Sequence, residues 1–273
     1  MKEAAPGFDE SQRHFFTTFG YALLPGLLTA AELQIVEREY REGLAAAFPE
    51  EPFDGSIGQW TRMANERTPF FAALPEDPRF LTPAQQLLGA DVLGNGTDAH
   101  FSVGDTEWHS DSGWQSESVD VQAGIKYHFH LDVATATTGA LRFMPGSHLL
   151  RGSQRQAFAA AIAKVPAAAV PGHSVPTQPG DVVVFDIRTW HASLGGRPGR
   201  RPCNVEYFRN PDSPQGIELL RELGRLEANS RNAHQYTYPR NWLDNPHDSP
   251  VRRRWIERYL EIGFLDQPGV GEL

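Results

Sequence analysis

Gly124-Ile125-Lys126-Tyr127-His128-Phe129-His130-Leu131-Asp132-Val133 is the stretch whose reading decides the fold. Apolar Ile125, Tyr127, Phe129 and Leu131 alternate with polar Lys126, His128, His130 and Asp132. A period of two means a strand with one apolar and one polar face. Working outward, residues 92–103, 140–144, 181–187 and 203–208 are further short runs of β texture. Pro145-Gly146-Ser147 and Pro179-Gly180-Asp181 separate them as turns, with φ preset at Pro and permissive at Gly. Helical patterns lie on either side. Asp9 to Phe19 is one helix. Tyr21 to Leu24 reads as a short strand, and a Thr29/Glu32 capping box opens a helix with the stripe Leu33, Val36, Tyr40 and Leu44. Thr82-Pro83 is expected to open a short helix that Gly89 closes. An Ala-rich helix spans 153–164, and helices return at 213–228 and from Ser249-Pro250 to about 262.

Helices, then many short strands with Gly and Pro turns, then helices again predict a mainly β fold with flanking helices. The expected architecture is a double-stranded β-helix, the jelly-roll-like, cupin-type barrel. One domain is expected over 1–273, with N-terminal helices at 9–90, the barrel at about 91–210, and C-terminal helices and a loop at 211–273. The 273 residues are 40% apolar, ordinary for a globular chain. A net charge of −9 argues against nucleic acid or an anionic membrane as partner. Cys203 is the single cysteine, so no internal disulfide forms, which suits the reducing cytoplasm. Met1 to Gln12 has no apolar signal-peptide core, and no apolar run is long enough to span a bilayer.

The chemistry is expected around Thr106-Glu107-Trp108-His109-Ser110-Asp111. On an extended strand, residues two apart share a face, so His109 and Asp111 converge. Far downstream, Thr189-Trp190-His191 ends another apolar run and offers a second imidazole. Two His and one carboxylate on one side of a metal leave its other positions open, the donor pattern of non-haem Fe(II) oxygenases.

Several motifs together resemble the phytanoyl-CoA dioxygenase family. They are His109-Ser110-Asp111, Leu131-Asp132-Val133, the run Thr138-Gly139-Ala140-Leu141-Arg142-Phe143-Met144-Pro145-Gly146-Ser147-His148, Pro179-Gly180-Asp181 through Thr189-Trp190-His191, and the Arg-bearing strand after His191. The resemblance covers roughly residues 15–210 and implies Fe(II), 2-oxoglutarate and O2, with His109, Asp111 and His191 as metal ligands. It further implies hydroxylation of an unactivated C–H of a small-molecule metabolite, with release of succinate and CO2. Related halogenases carry a small residue in place of the carboxylate, and Asp111 retains it. The family also places an Arg on the strand after the distal His against the far carboxylate of 2-oxoglutarate. Arg200 and Arg201 start that strand and face opposite ways. Arg201 shares parity with Cys203, Val205 and Tyr207, and this apolar set is expected to face the barrel interior, so Arg201 is chosen.

Two rival readings come from other classes. A cupin-like isomerase without 2-oxoglutarate would build its metal site on His128 and His130; a ligand-binding barrel would be non-catalytic. His148, in a turn, is read as a structural hydrogen-bonding residue. Trp60, Arg62, Lys126, His128, Tyr236 and Arg240 are candidate substrate contacts. The loop 230–248, with Tyr238 and Trp242, is longer than an ordinary connection and is expected to cover the mouth of the site. The Gly-rich segments 94–96 and 195–199 do not open helices after strands and are rejected as phosphate loops.

Overall fold

The computed structural model describes residues 7–112, 123–228, 238, 240–245 and 248–266, with 226–228, 240 and 241 described by backbone alone. Two antiparallel sheets form its centre. The larger joins β1 (Tyr21–Leu24), β8 (Val182–Asp186), β5 (Gly124–His130), β10 (Pro202–Phe208), β3 (Leu93–Phe101) and β2 (Gln59–Arg62), in that order. The smaller joins β4 (Thr106–His109), β9 (His191–Ser193), β6 (Leu141–Phe143) and β7 (His173–Ser174). This is the double-stranded β-helix, built as two open sheets facing each other rather than as a hydrogen-bonded closed barrel.

Strand β10 is the hub, pairing with β3 on one side and β5 on the other. Its register puts Cys203 beside Ala99 and Phe129, and Asn204 beside Asp98 and His128. The two faces therefore differ sharply. Cys203, Val205 and Tyr207 join Ile125, Tyr127 and Phe129 in the main apolar core, all fully buried. Helices α2 (Ala30–Ala47), α3 (Pro69–Ala73), α4 (Pro78–Leu88) and α8 (Pro250–Glu261) contribute to that core through Tyr40, Phe71, Phe80 and Trp255. Each such burial contributes roughly 1.5–3 kcal/mol. The buried hydroxyls keep partners: Tyr127 donates to the Phe80 carbonyl at 2.8 Å and Tyr207 to that of Pro75 at 2.7 Å. The opposite face of the same strands carries Lys126, His128, His130, Asn204 and His100, and looks toward the smaller sheet.

Local signals explain most helix ends. Asp9 caps α1 (Glu10–Phe19) in a capping box with Gln12, and Gly20 ends it at φ 85°. Thr29 and Glu32 cap α2 reciprocally. Helix α4 starts earlier than the Thr82-Pro83 reading: Asp77 is its cap, accepting from the Arg79 N–H at 2.8 Å, and Pro78 fills the first turn. Pro83 lies inside that helix. Residues 50–73 contain β2 and α3. His148 is buried and its Nε2 meets the Thr17 carbonyl at 3.1 Å, the structural role expected of it. No described helix is long and apolar enough to cross a membrane.

Candidate metal and co-substrate site

Pairing between β4 and β9 sets His109 directly opposite His191, and Phe143 of β6 flanks His191 on its other side. Opposed residues on one face of an antiparallel pair are near neighbours, and the two imidazole centroids stand 4.3 Å apart. Strand β4 stops at His109, so Asp111 reaches them from the following turn rather than from an extended strand. Its Oδ1 lies 3.3 Å from His109 Nε2 and 3.6 Å from His191 Nε2. Among the described residues these three form the one group of three or more side chains whose ligand atoms converge as a metal would require.

The tautomers follow from the backbone. His109 Nδ1 lies 2.8 Å from the Glu107 carbonyl and His191 Nδ1 lies 2.9 Å from that of Thr189. A carbonyl only accepts, so each Nδ1 carries the proton and each Nε2 lone pair is turned to the common point. Burial pushes His191 down to about 4 against the pull of Asp111. Burial also opposes charge on His109, but the hydrogen bond and charge of Asp111 raise it overall. Burial would raise Asp111, yet Lys126, His191 and His109 hold it well below the usual carboxylate range. At neutral pH the site thus presents a carboxylate and a neutral His191 to an incoming cation.

A cavity of about 170 Å³ opens between the sheets from this point. Phe185, Leu141 and Ala192 form an apolar part of its wall, and the Phe185 ring stands 4.7 Å from the His191 ring. Away from the three ligand candidates, Arg200 and Ser193 join the lining. Arg200 Nη1 donates to Ser193 Oγ at 2.6 Å, and Nη2 donates to the Gly104 carbonyl. Its Nε is buried with no partner among the described residues, and burial lowers the pKa of the guanidinium.

Arg201 is not in this cavity, which corrects the choice made from strand parity. It points to the helix side of β10, donating from Nε and Nη2 to Asp132 at 2.9 and 2.6 Å and from Nη1 to Glu37 of α2 at 2.6 and 2.7 Å. Arg201 does share a side with Cys203, Val205 and Tyr207, but that side meets the helices rather than the second sheet. The apolar residues of β10 pack under the helices, and its polar residues face the second sheet. The signal lay in β5, whose polar set Lys126, His128 and His130 matches Asn204 and Glu206 of β10, with Arg200 in the same parity.

Lys126 and His128 line the cavity, as does His130. Lys126 Nζ reaches Asp111 Oδ2 at 2.7 Å. His128 Nδ1 meets Asn204 Oδ1 at 2.9 Å, and its Nε2 lies 3.4 Å from His130 Nε2. Because Asn204 Nδ2 donates to Asp98 at 2.6 Å, its Oδ1 is the acceptor and His128 Nδ1 the donor. Burial lowers both imidazoles, His130 to about 4 and His128 well below its ordinary value. Trp60 and Arg62 lie on edge strand β2, outside this cavity, with the Arg62 guanidinium 5.2 Å from the Trp60 ring. Tyr236 lies outside the described residues, and Arg240 begins α7 (Arg240–Asp244), its side chain likewise undescribed. Of the expected covering loop, Tyr238 and Trp242 are fully buried in the main core, with rings 5.4 Å apart.

Solved structures share this fold. EctD from S. alaskensis, with 2-oxoglutarate and 5-hydroxyectoine, is 21% identical over 80% of this chain and 83% of its own, with a TM-score of 0.59. The non-heme alpha ketoglutarate dependent carbocyclase SnoK from nogalamycin biosynthesis is 20% identical over 76% and 86%, at 0.57. EvdO2 from Micromonospora carbonacea var. aurantiaca, complexed with 2-oxoglutarate, is 18% identical over 77% and 95%, at 0.56. Comparison with curated protein sequences finds no match. The family profile described as phytanoyl-CoA dioxygenase matches residues 16–201, more than half of the chain. With that span matched and the fold shared, the chain belongs to the phytanoyl-CoA dioxygenase family of Fe(II)- and 2-oxoglutarate-dependent oxygenases.

Proposed function

We propose that His109, Asp111 and His191 hold Fe(II), that Arg200 with Ser193 grips the distal carboxylate of 2-oxoglutarate, and that the enzyme hydroxylates an unactivated C–H of a small-molecule metabolite in the cytoplasm, working as one oxygenase unit. One observation carries the reading: two imidazole Nε2 atoms and one carboxylate oxygen converge in the same cavity that Arg200 lines. The donors fit the metal, because neutral imidazole and carboxylate suit Fe(II) and leave adjacent positions open. The guanidinium fits the co-substrate, because a planar fork with a free Nε beside a hydroxyl suits a carboxylate.

When bound, Fe(II) with 2-oxoglutarate supplies the activation of O2 and ends with succinate and CO2 released. The chain's own part is orientation and exclusion of water. The Glu107 and Thr189 carbonyls fix the imidazole tautomers. Phe185 and Phe143 pack beside His191 and keep its side of the site apolar. Ser193 donates to the Gly139 carbonyl at 2.8 Å, so its oxygen is turned to accept from Arg200 and hold that side chain in place. The isomerase reading on His128 and His130 loses support, since no third ligand joins them among the described residues.

The reading is tested by incubating the Fe(II)-loaded enzyme with 2-oxoglutarate, O2 and a panel of small metabolites. One or more should stimulate succinate formation and gain one oxygen atom by mass spectrometry. Succinate formation that no metabolite stimulates, together with no oxygenated product, would count against hydroxylation of a small molecule.

A further inference from the structure

The two oxygens of Asp111 have unlike surroundings. Oδ1 faces both imidazoles, whereas Oδ2 accepts a hydrogen bond from Lys126 Nζ at 2.7 Å. Lys126 rises from the middle of the larger sheet, in register with Phe185 on one side and Glu206 on the other. Its ammonium is also 3.5 Å from Glu206 Oε1, and Glu206 in turn accepts from Asn95 Nδ2 at 2.8 Å. Lys126 therefore spans the gap between the sheets from a rigid base. Asp111 has no such base, since it stands in a turn beyond the end of β4. A carboxylate so placed can rotate and chelate a cation with both oxygens. That would consume one of the positions a bidentate co-substrate and O2 need.

We propose that Lys126 is a positioning residue that holds Oδ2 of Asp111 off the metal, so that Asp111 gives one oxygen and three adjacent positions stay available. This rests on the metal-site reading above. It assigns Lys126 to the ligand carboxylate rather than to the substrate. The same ammonium opposes a divalent cation electrostatically, so the arrangement gives up metal affinity to keep positions open.

Co(II) titrated into the metal-free enzyme, followed by its visible absorption, tests the idea, with 2-oxoglutarate then titrated calorimetrically into the Co(II)-loaded protein. Lys126→Met should bind Co(II) roughly tenfold more tightly, with an altered Co(II) spectrum before any co-substrate is added. Its affinity for 2-oxoglutarate should fall at least about tenfold, and Lys126→Arg should restore both to within about threefold. Lys126→Gln, which also lacks the charge, serves if the Met variant fails to fold, with the same expected directions. Weaker 2-oxoglutarate binding beside a wild-type Co(II) spectrum and affinity would mean that Lys126 touches the co-substrate directly, and would overturn the proposal. Unchanged 2-oxoglutarate affinity, or Co(II) affinity lost, would overturn it as well. Failure of the underlying site reading looks different: His109→Ala would then bind Co(II) as the wild type does.

Discussion

Arg200 and Arg201 are neighbours in sequence, yet they stand on opposite faces of one sheet. Arg200 bonds to Ser193 inside the cavity, and Arg201 bonds to Asp132 and Glu37 beneath helix α2. Their substitutions should therefore separate cleanly. Arg200→Ala should weaken 2-oxoglutarate binding about 10- to 100-fold, the range of a lost charge-assisted contact, with Fe(II) affinity little changed. Arg201→Ala should leave 2-oxoglutarate binding as it is and cost about 1 kcal/mol of stability, since its ion pairs are partly exposed. Co-substrate titrations and thermal melting of both variants check this pair of outcomes; the reverse pattern would move the anchor to Arg201.

Gly139 offers a route to the same anchor without touching it. Its φ is 96°, and an added Cβ would lie 2.7 Å from Arg200 Cδ and Nη1. Gly139→Ala should push the guanidinium away from Ser193 and raise the KM for 2-oxoglutarate about five- to tenfold, the loss of roughly 1 kcal/mol in one hydrogen bond. Metal binding should persist. A KM equal to wild type would show that Arg200 tolerates the shift or does not hold the co-substrate.

His130 makes stability depend on pH. Burial, helped by the nearby Arg200 charge, lowers it to about 4 from an ordinary 6.5. The unfolded chain takes up a proton as pH falls through about 6.5, and the folded chain does not until about 4. Its contribution is therefore complete above pH 6.5 and is lost progressively between 6.5 and 4. At pH 5 the loss amounts to about 2 kcal/mol, from 1.5 units at 1.36 kcal/mol each. Urea unfolding of the metal-free protein at pH 7 and pH 5 should show a smaller difference for His130→Gln than for wild type. Equal differences would mean that His130 titrates normally in the folded protein.

Trp242 belongs to the helical core, not to the mouth of the site. It is 1% exposed, packs on Tyr238, and carries the Arg252 guanidinium 4.3 Å from its ring. Trp242→Ala should cost about 3–5 kcal/mol, as large aromatic truncations in a core do. Denaturant titration reads that loss. A stable variant with a raised substrate KM would instead restore the covering role to this part of the loop.

Much of this was legible in the residues themselves. The alternation in 124–133 marks β5, and the Asp9 and Thr29 caps with their stripes mark α1 and α2. Local chemistry decides such features, and local chemistry is written in adjacent residues. The three ligand candidates were legible too, because His109 and Asp111 are close in sequence and His191 ends an apolar run. That His109 stands opposite His191 was not, since the β4 to β9 pairing joins segments some eighty residues apart. Which of Arg200 and Arg201 lines the cavity is hidden for a related reason. A strand's own pattern tells which residues share a face, but not which face meets helices and which meets the other sheet. Trp242 was misread because an aromatic in a long connection looks alike whether it covers a site or fills a core. Pro83 misled the start of α4 because Asp77-Pro78 is the stronger cap, with its side chain already bonded to the Arg79 N–H.

The central claim is that this cavity holds Fe(II) and 2-oxoglutarate together through His109, Asp111, His191 and Arg200. The direct measurement is anaerobic titration of 2-oxoglutarate into the Fe(II)-loaded enzyme, watching the metal-to-ligand absorption band. The band should grow to saturation at one equivalent in the wild type, be absent in His191→Ala for want of iron, and need far more co-substrate in Arg200→Ala. A full band in His191→Ala at wild-type affinity would contradict the account.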